Sequence, residues 1–176
     1  MMQSTTMEPR AGTRLGVVVA RFLNRAWNRA EALLDWLRAP ALLAARLYVS
    51  YVFFNSGLQS LSDWAGTVWL YQNEFHVAVL PPHLAAVVGT AGELLLPPLV
   101  ALGLLGRFSA LGLFVVNLVA LLSYMYALQV PAIMFHFIWG GLMLVIALWG
   151  PGAWSMDAWR QARMIEPHRE FPLSLR

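Results

Sequence analysis

The sequence predicts an all-α, polytopic membrane protein: a bundle of four transmembrane helices preceded by an amphipathic helix in the membrane interface. Three observations predict it. Apolar residues make up 59% of the 176 residues and charged ones only 12%, about half the charged share of a soluble domain. Four apolar runs each approach the roughly 20 residues that cross a hydrocarbon core. The arginines sort onto alternate connections, as membrane insertion requires.

In chain order, residues 1–13 are polar, lack apolar periodicity and read as a disordered tail. Residues 14–38 differ: Leu15, Val18, Val19, Phe22, Leu23, Ala26, Trp27, Ala30, Leu33, Leu34 and Leu37 recur at helical spacing, with Arg21, Arg25, Asn28, Arg29 and Asp35 between them. A basic amphipathic helix with Trp and Phe on its apolar face belongs in the headgroup layer, where membrane lipids are its partner, although a docking face for a protein has the same pattern. Pro40 suits the first turn of a new helix. The four-helix membrane domain then occupies 39–160, with spans at about 41–61, 84–105, 108–128 and 133–149, and 161–176 form a second tail. The link 62–83 mixes Trp64, Trp69, Tyr71 and Phe75 with Asp63, Gln72 and Glu74, a composition that sits at headgroup level.

All twelve cations are arginine, and eleven lie in the N-terminal segment, at Arg107 or in the C-terminal segment; Arg46 is the twelfth. The links 62–83 and 129–132 contain none. Short cationic connections stay inside, so both termini and Arg107 are expected in the cytoplasm of a bacterium, with the protein in its inner membrane. No basic stripe with interleaved aromatics favours nucleic acid. There is no cysteine, which excludes disulfides, thiolate metal sites and dithiol redox chemistry. A signal peptide is not expected, because the apolar run from Leu15 is cut short by Arg21.

Four stretches carry a family resemblance. Gly92-Glu93-Leu94 through Leu102-Gly103-Leu104, then Arg107-Phe108-Ser109-Ala110-Leu111, then Gly150-Pro151-Gly152-Ala153-Trp154-Ser155-Met156-Asp157, with Arg46 and Gly57-Leu58-Gln59 in the first span, resemble the DoxX family over residues 40–160. Asp63-Trp64, Glu74-Phe75-His76-Val77, Leu80-Pro81-Pro82 and His136 with Trp139 resemble a subgroup encoded beside multinuclear non-haem iron oxidases that modify ribosomally made peptides. Ser60 departs from that pattern, standing where relatives often carry Lys. The family is similar in name and fold to the small subunit of a thiosulfate:quinone oxidoreductase. The resemblance therefore implies a redox-associated or quinone-linked role, and a redox enzyme or peptide-modification system as partner; fold alone does not establish either.

Ionisable and amide groups inside the spans are the candidate site residues, since each costs a few kcal/mol or more in hydrocarbon. Counted from the cytoplasmic ends at the helical rise, Arg46 lies about 9 Å in, Asn117 about 15 Å, Glu93 about 18 Å and Asn55 about 22 Å, with Gln59, Tyr124 and His136 near the outer boundary. Glu93, near the midplane, is either neutral or paired: a proton acceptor or quinone contact, or a packing carboxyl bonded to Asn117 or Tyr51. Arg46 is expected to snorkel towards the cytoplasmic interface, since helical side chains point to the N-terminus of their helix. His136 reads as a proton relay, or as an interfacial histidine bonded to Tyr124 or Gln59. The histidines and Glu74 lack ligand spacing, so no metal site is predicted. Pro97-Pro98 should kink the second span, bending the bundle or opening a ligand cavity.

Two functions stand. One is a quinone-linked accessory subunit of a membrane oxidoreductase, with no cofactor of its own evident beyond a bound quinone. The other is a non-catalytic anchor, assembly or export module for a metal-handling or modified-peptide system. A second copy of the chain is a further candidate partner, because four helices need one to form a transport path.

Overall fold

The computed structural model describes residues 11–77 and 80–165. Six helices follow one another: α1 Ala11–Ser62, α2 Trp64–Asn73, α3 Pro82–Leu102, α4 Gly106–Tyr124, α5 Val130–Trp149 and α6 Met156–Ile165. Four of them, α1, α3, α4 and α5, are long and apolar enough to cross a membrane. Residues 1–10 and 166–176, which hold most of the two expected tails, lie outside the described residues.

The chain forms two compact units, one up to Arg38 and the other from Ala39. In the first unit, Phe22, Leu23, Trp27, Leu33, Leu34 and Trp36 are exposed, and the Trp27 indole donates to Glu31 at 2.6 Å, one turn on. Pro40 does not begin a helix; it lies inside α1.

In the second unit the spans run up and down. Ser50 of α1 bonds α3 at Pro97 and Ser56 bonds it at Glu93. Gly112 of α4 faces Leu96 of α3, and Gly92 faces Val116. Asn117 of α4 bonds α5 at His136, and Phe114 faces Gly140. In each of these pairs rising numbers meet falling ones, the mark of antiparallel neighbours. The core between them is Leu42, Val49, Phe53, Val100, Ala110, Leu113, Met143 and Ile146. Outward-facing positions are equally apolar: Leu95, Phe108, Leu122, Phe137 and Leu148 are all exposed. A hydrocarbon solvent explains that surface, because lipid supplies no penalty for apolar exposure and the helices satisfy their own backbone groups.

Small residues set the spacing. A Cβ at Gly92 would lie 2.8 Å from Val116 Cγ2, and one at Gly57 would lie 2.9 Å from Leu94 Cγ, so the backbones approach as only glycine allows. The α3–α4 connection is tight. Gly103 takes a left-handed conformation at φ 67° and Leu105 another at φ 50°. For Leu105 that costs roughly 1–2 kcal/mol.

Asp157 offsets the cost. Its carboxylate accepts from the Leu105 and Gly106 backbone N–H groups at 3.2 and 2.8 Å, filling the positive end of α4 from a helix far along the chain. That helix, α6, falls where a domain end and a tail were expected. Ser155 caps it, accepting from the Ala158 N–H at 3.2 Å.

This geometry sets an expected outcome. Asp157→Ala lowers stability in detergent by about 1–2 kcal/mol, the range of a lost helix cap. Arg160→Ala, whose ion pair with Asp157 spans 4.0 Å at an exposed position, changes it by less than about 0.5 kcal/mol. Thermal melts of the two variants check this, and equal shifts would contradict the capping role.

Candidate functional site

Two polar layers lie within the bundle. The first surrounds Glu93, half-buried on α3. Ser56 Oγ of α1 donates to Glu93 Oε1 at 3.1 Å, and Ser60, one turn further along α1, stands by the same carboxyl. The position where the family resemblance carries Lys is thus a contact of Glu93. Tyr71 of α2 approaches from the headgroup side, with its hydroxyl close to where a Cβ of Gly89 would stand. Burial, then the nearby Glu93 charge, push the Tyr71 phenol up to about 12. A cavity of about 560 Å³ between α1 and α2, lined by Ser56, Gln59, Ser60, Asp63 and Thr67 among others, adjoins this cluster.

One turn further along α3 from Glu93 comes the diproline. Pro97 and Pro98 remove two backbone donors from α3, and Ser50 Oγ donates to the Pro97 carbonyl at 2.8 Å. Beside them opens a cleft of about 280 Å³ lined by Leu47, Ser50, Tyr51, Phe54, both prolines and Ala101. The diproline therefore coincides with a cavity.

The second layer is Asn117 with His136. Asn117 is 2% exposed. Its Nδ2 donates to the His136 carbonyl at 3.1 Å, and its Oδ1 lies 2.8 Å from His136 Nδ1, so that ring nitrogen carries the proton. A Cβ on Gly140 would press on the Asn117 amide. The His136 ring stands edge-on to Trp139, with centroids 5.2 Å apart.

The sequence-predicted residues thus fall into separate places. Glu93 meets Ser56, Ser60 and Tyr71; Asn117 meets His136, while Tyr51 is 70% exposed. Asn55 donates back to the Tyr51 carbonyl at 2.9 Å. His136, Gln59 and Tyr124 do not share one level as expected: His136 stands beside Asn117, about 10 Å along α4 from Tyr124, while Gln59 lines the α1–α2 cavity and Tyr124 donates to Glu74 Oε2 at 2.7 Å. Tyr124 also closes a stack, Tyr71 on Phe75 and Phe75 on Tyr124, with centroids 4.6 and 4.9 Å apart. Among the described residues no three His, Asp or Glu side chains gather as metal ligands.

Arg46 refines an expectation. Its guanidinium aims towards the N-terminal end of its span, as expected, but there it is buried under the loop after α5 instead of open to water. It is 1% exposed, and Nη2 donates to the Trp154 carbonyl at 2.5 Å. Gly103 lies against Nη1, and neither Nε nor Nη1 finds a partner among the described residues. The loop after α5 covers the side chain, which helical direction alone could not show. Sequence reasoning also missed Ser50, Ser56, Tyr71 and Asp157. Hydroxyls spaced along one face of α1, at Ser50, Ser56 and Ser60, were the available signal.

Tyr71 supplies a pH test. Its folded-state value is raised from 10.0 to about 12, so its contribution to stability is complete below pH 10 and is lost as pH rises through about 12. Tyr71→Phe has no phenol to ionise and is expected to lose less stability than the wild type over that window. Melting temperatures measured from about pH 9 upward decide it; identical alkaline losses in the two proteins would refute the assignment. The DoxX family model matches residues 41–127, whereas no curated protein and no solved structure matches the chain. With four helices long and apolar enough to cross a membrane and that match, this chain is a membrane protein that carries a DoxX domain over residues 41–127.

Proposed function

We propose that the chain is an accessory subunit of a membrane oxidoreductase, seated in a bacterial inner membrane with both termini in the cytoplasm, and that it binds a quinone beside Glu93. The observation that carries this reading is the Ser56–Glu93 pair next to the diproline cleft. Glu93 is four residues from Pro97, about 6 Å along α3. A quinone has a small head with two carbonyl acceptors and an apolar tail. A carboxyl in its acid form, oriented by Ser56, donates to a head-group oxygen, and the cleft walled by Leu47, Tyr51 and Phe54 takes the tail.

Reducing a quinone to a quinol consumes two electrons and two protons. The electrons come from the redox centre of a partner oxidoreductase. Glu93 passes protons to the quinone oxygen and regains them from the cavity lined by Ser60, Gln59 and Asp63. The orientation follows from the arginines, which keep Arg107 and both terminal segments inside.

A second reading, a non-catalytic anchor for a peptide-modification or metal-handling system, is favoured by the unit up to Arg38. Its Phe22, Trp27 and Trp36 are exposed and suit a lipid surface or a partner.

Quenching of tryptophan fluorescence by a short-chain quinone separates the two. The wild type is expected to saturate, and Glu93→Leu to bind about tenfold more weakly, as for the loss of one hydrogen bond of ~1.4 kcal/mol. Glu93→Gln should keep its melting temperature and its binding while losing the pH dependence of binding. Unchanged affinity in Glu93→Leu would end the quinone reading in favour of the anchor. For orientation, reporter fusions after Arg38, at Arg107 and after Arg163 should report cytoplasm, and one at Gln72 periplasm. A cytoplasmic signal at Gln72 overturns the orientation.

A further inference from the structure

We propose that the Arg107 end of the bundle holds the phosphate headgroup of an anionic phospholipid. The site is a cavity of about 570 Å³ where the start of α4, the Gly150-Pro151-Gly152 loop and α6 meet. It is independent of the Glu93 cluster and of the quinone reading. Two of the stretches that carry the family resemblance, the one at Arg107 and the one at Gly150, line this one cavity.

Charge selects the ligand. Arg107 lies over the loop, its Nε 3.6 Å from where a Cβ of Gly150 would be, and no described residue pairs with it. The other polar groups of the wall are Asp157, Ser155 and Gln161. Asp157 is committed to the Leu105 and Gly106 N–H groups and to Arg160. Ser155 donates to the Gly152 carbonyl at 2.7 Å and accepts from Ala158. That leaves a guanidinium and an amide facing the cavity, a donor set for a phosphodiester oxygen.

Position selects a lipid. Arg107 and Phe108 open α4, and Trp149 ends α5, so the cavity sits where two spans leave the hydrocarbon, at headgroup level. Phe108 and Trp149, 77% and 57% exposed, flank it on the lipid side and supply an apolar wall for acyl chains. A soluble anion would use the cation and leave that wall empty.

Native mass spectrometry of the full chain, stripped of lipid in detergent and mixed with phosphatidylglycerol or phosphatidylcholine, reads the site. One phosphatidylglycerol is expected to be retained about fivefold over phosphatidylcholine, the contribution of one interfacial cation. Arg107→Gln abolishes the preference. Arg163→Gln, an equal charge change in a side chain stacked on Trp159 outside the cavity, preserves it. Melting curves of both variants confirm that they are folded, and Gln161→Ala, expected to weaken retention, gives a second handle on the same wall. Equal retention of the two lipids overturns the proposal. So does equal loss in Arg107→Gln and Arg163→Gln, which would mean diffuse attraction, and so does displacement by inorganic phosphate, which would make this a free-anion site.

Discussion

One buried guanidinium organises the Arg107 end of this protein. Arg46 ties α1 to the loop after α5 through the Trp154 carbonyl and lies against Gly103, where α3 ends. Taking a cation out of water costs several kcal/mol. The carbonyl-rich C-terminus of α3 offsets part of that cost, since the negative end of a helix dipole favours a cation. Gly103 is required twice over: its φ of 67° is left-handed, and a side chain there would strike the guanidinium. With that end held, Asp157 can reach across to the first N–H groups of α4.

The other end is held by different physics. Glu74 accepts from Tyr124, and its backbone carbonyl accepts from Tyr126. The rings of Tyr71, Phe75 and Tyr124 stack beside it. Aromatic rings bury area and still offer a hydroxyl to the wet side, which suits the boundary between lipid and water. Between the two ends the Asn117–His136 clasp joins α4 to α5, and the Ser56–Glu93 bond joins α1 to α3. Polar pairs of this kind are specific because each group must find its partner in a medium that offers no water.

The interior is therefore fixed at both ends and interrupted along the α1–α3 seam. Pro97 and Pro98 remove two bonds from the α3 ladder. Gly57, one turn beyond the core residue Phe53, brings the two backbones close at Leu94. A cleft opens at the prolines and a polar cavity opens towards α2. Glu93 stands on the same seam, held by Ser56. The Arg107 cavity, with its own cation and its own aromatic flank, is a separate surface.

Much of this was legible without a structure, because a bilayer imposes its demands on one helix at a time. Composition, four apolar runs and the absence of arginine from two connections determined the class, the number of spans and their approximate limits. Relative level along one helix was legible in part, since the helical rise converts residue number into level, although His136 lies deeper than its count suggested. Rotation about each helix axis was not. Glu93 and Asn117 stand at similar depth yet face different neighbours, and His136, expected at the outer boundary with Gln59 and Tyr124, pairs instead with Asn117 deeper in the bundle. Only packing decides which face of a helix turns to which partner, so only the tertiary structure could pair Glu93 with Ser56, Asn117 with His136 and Tyr124 with Glu74. The burial of Arg46 and the reach of Asp157 belong to the same class. Each depends on a loop or helix far away in sequence folding back over the end of the bundle, and local periodicity carries no trace of contacts between segments so far apart.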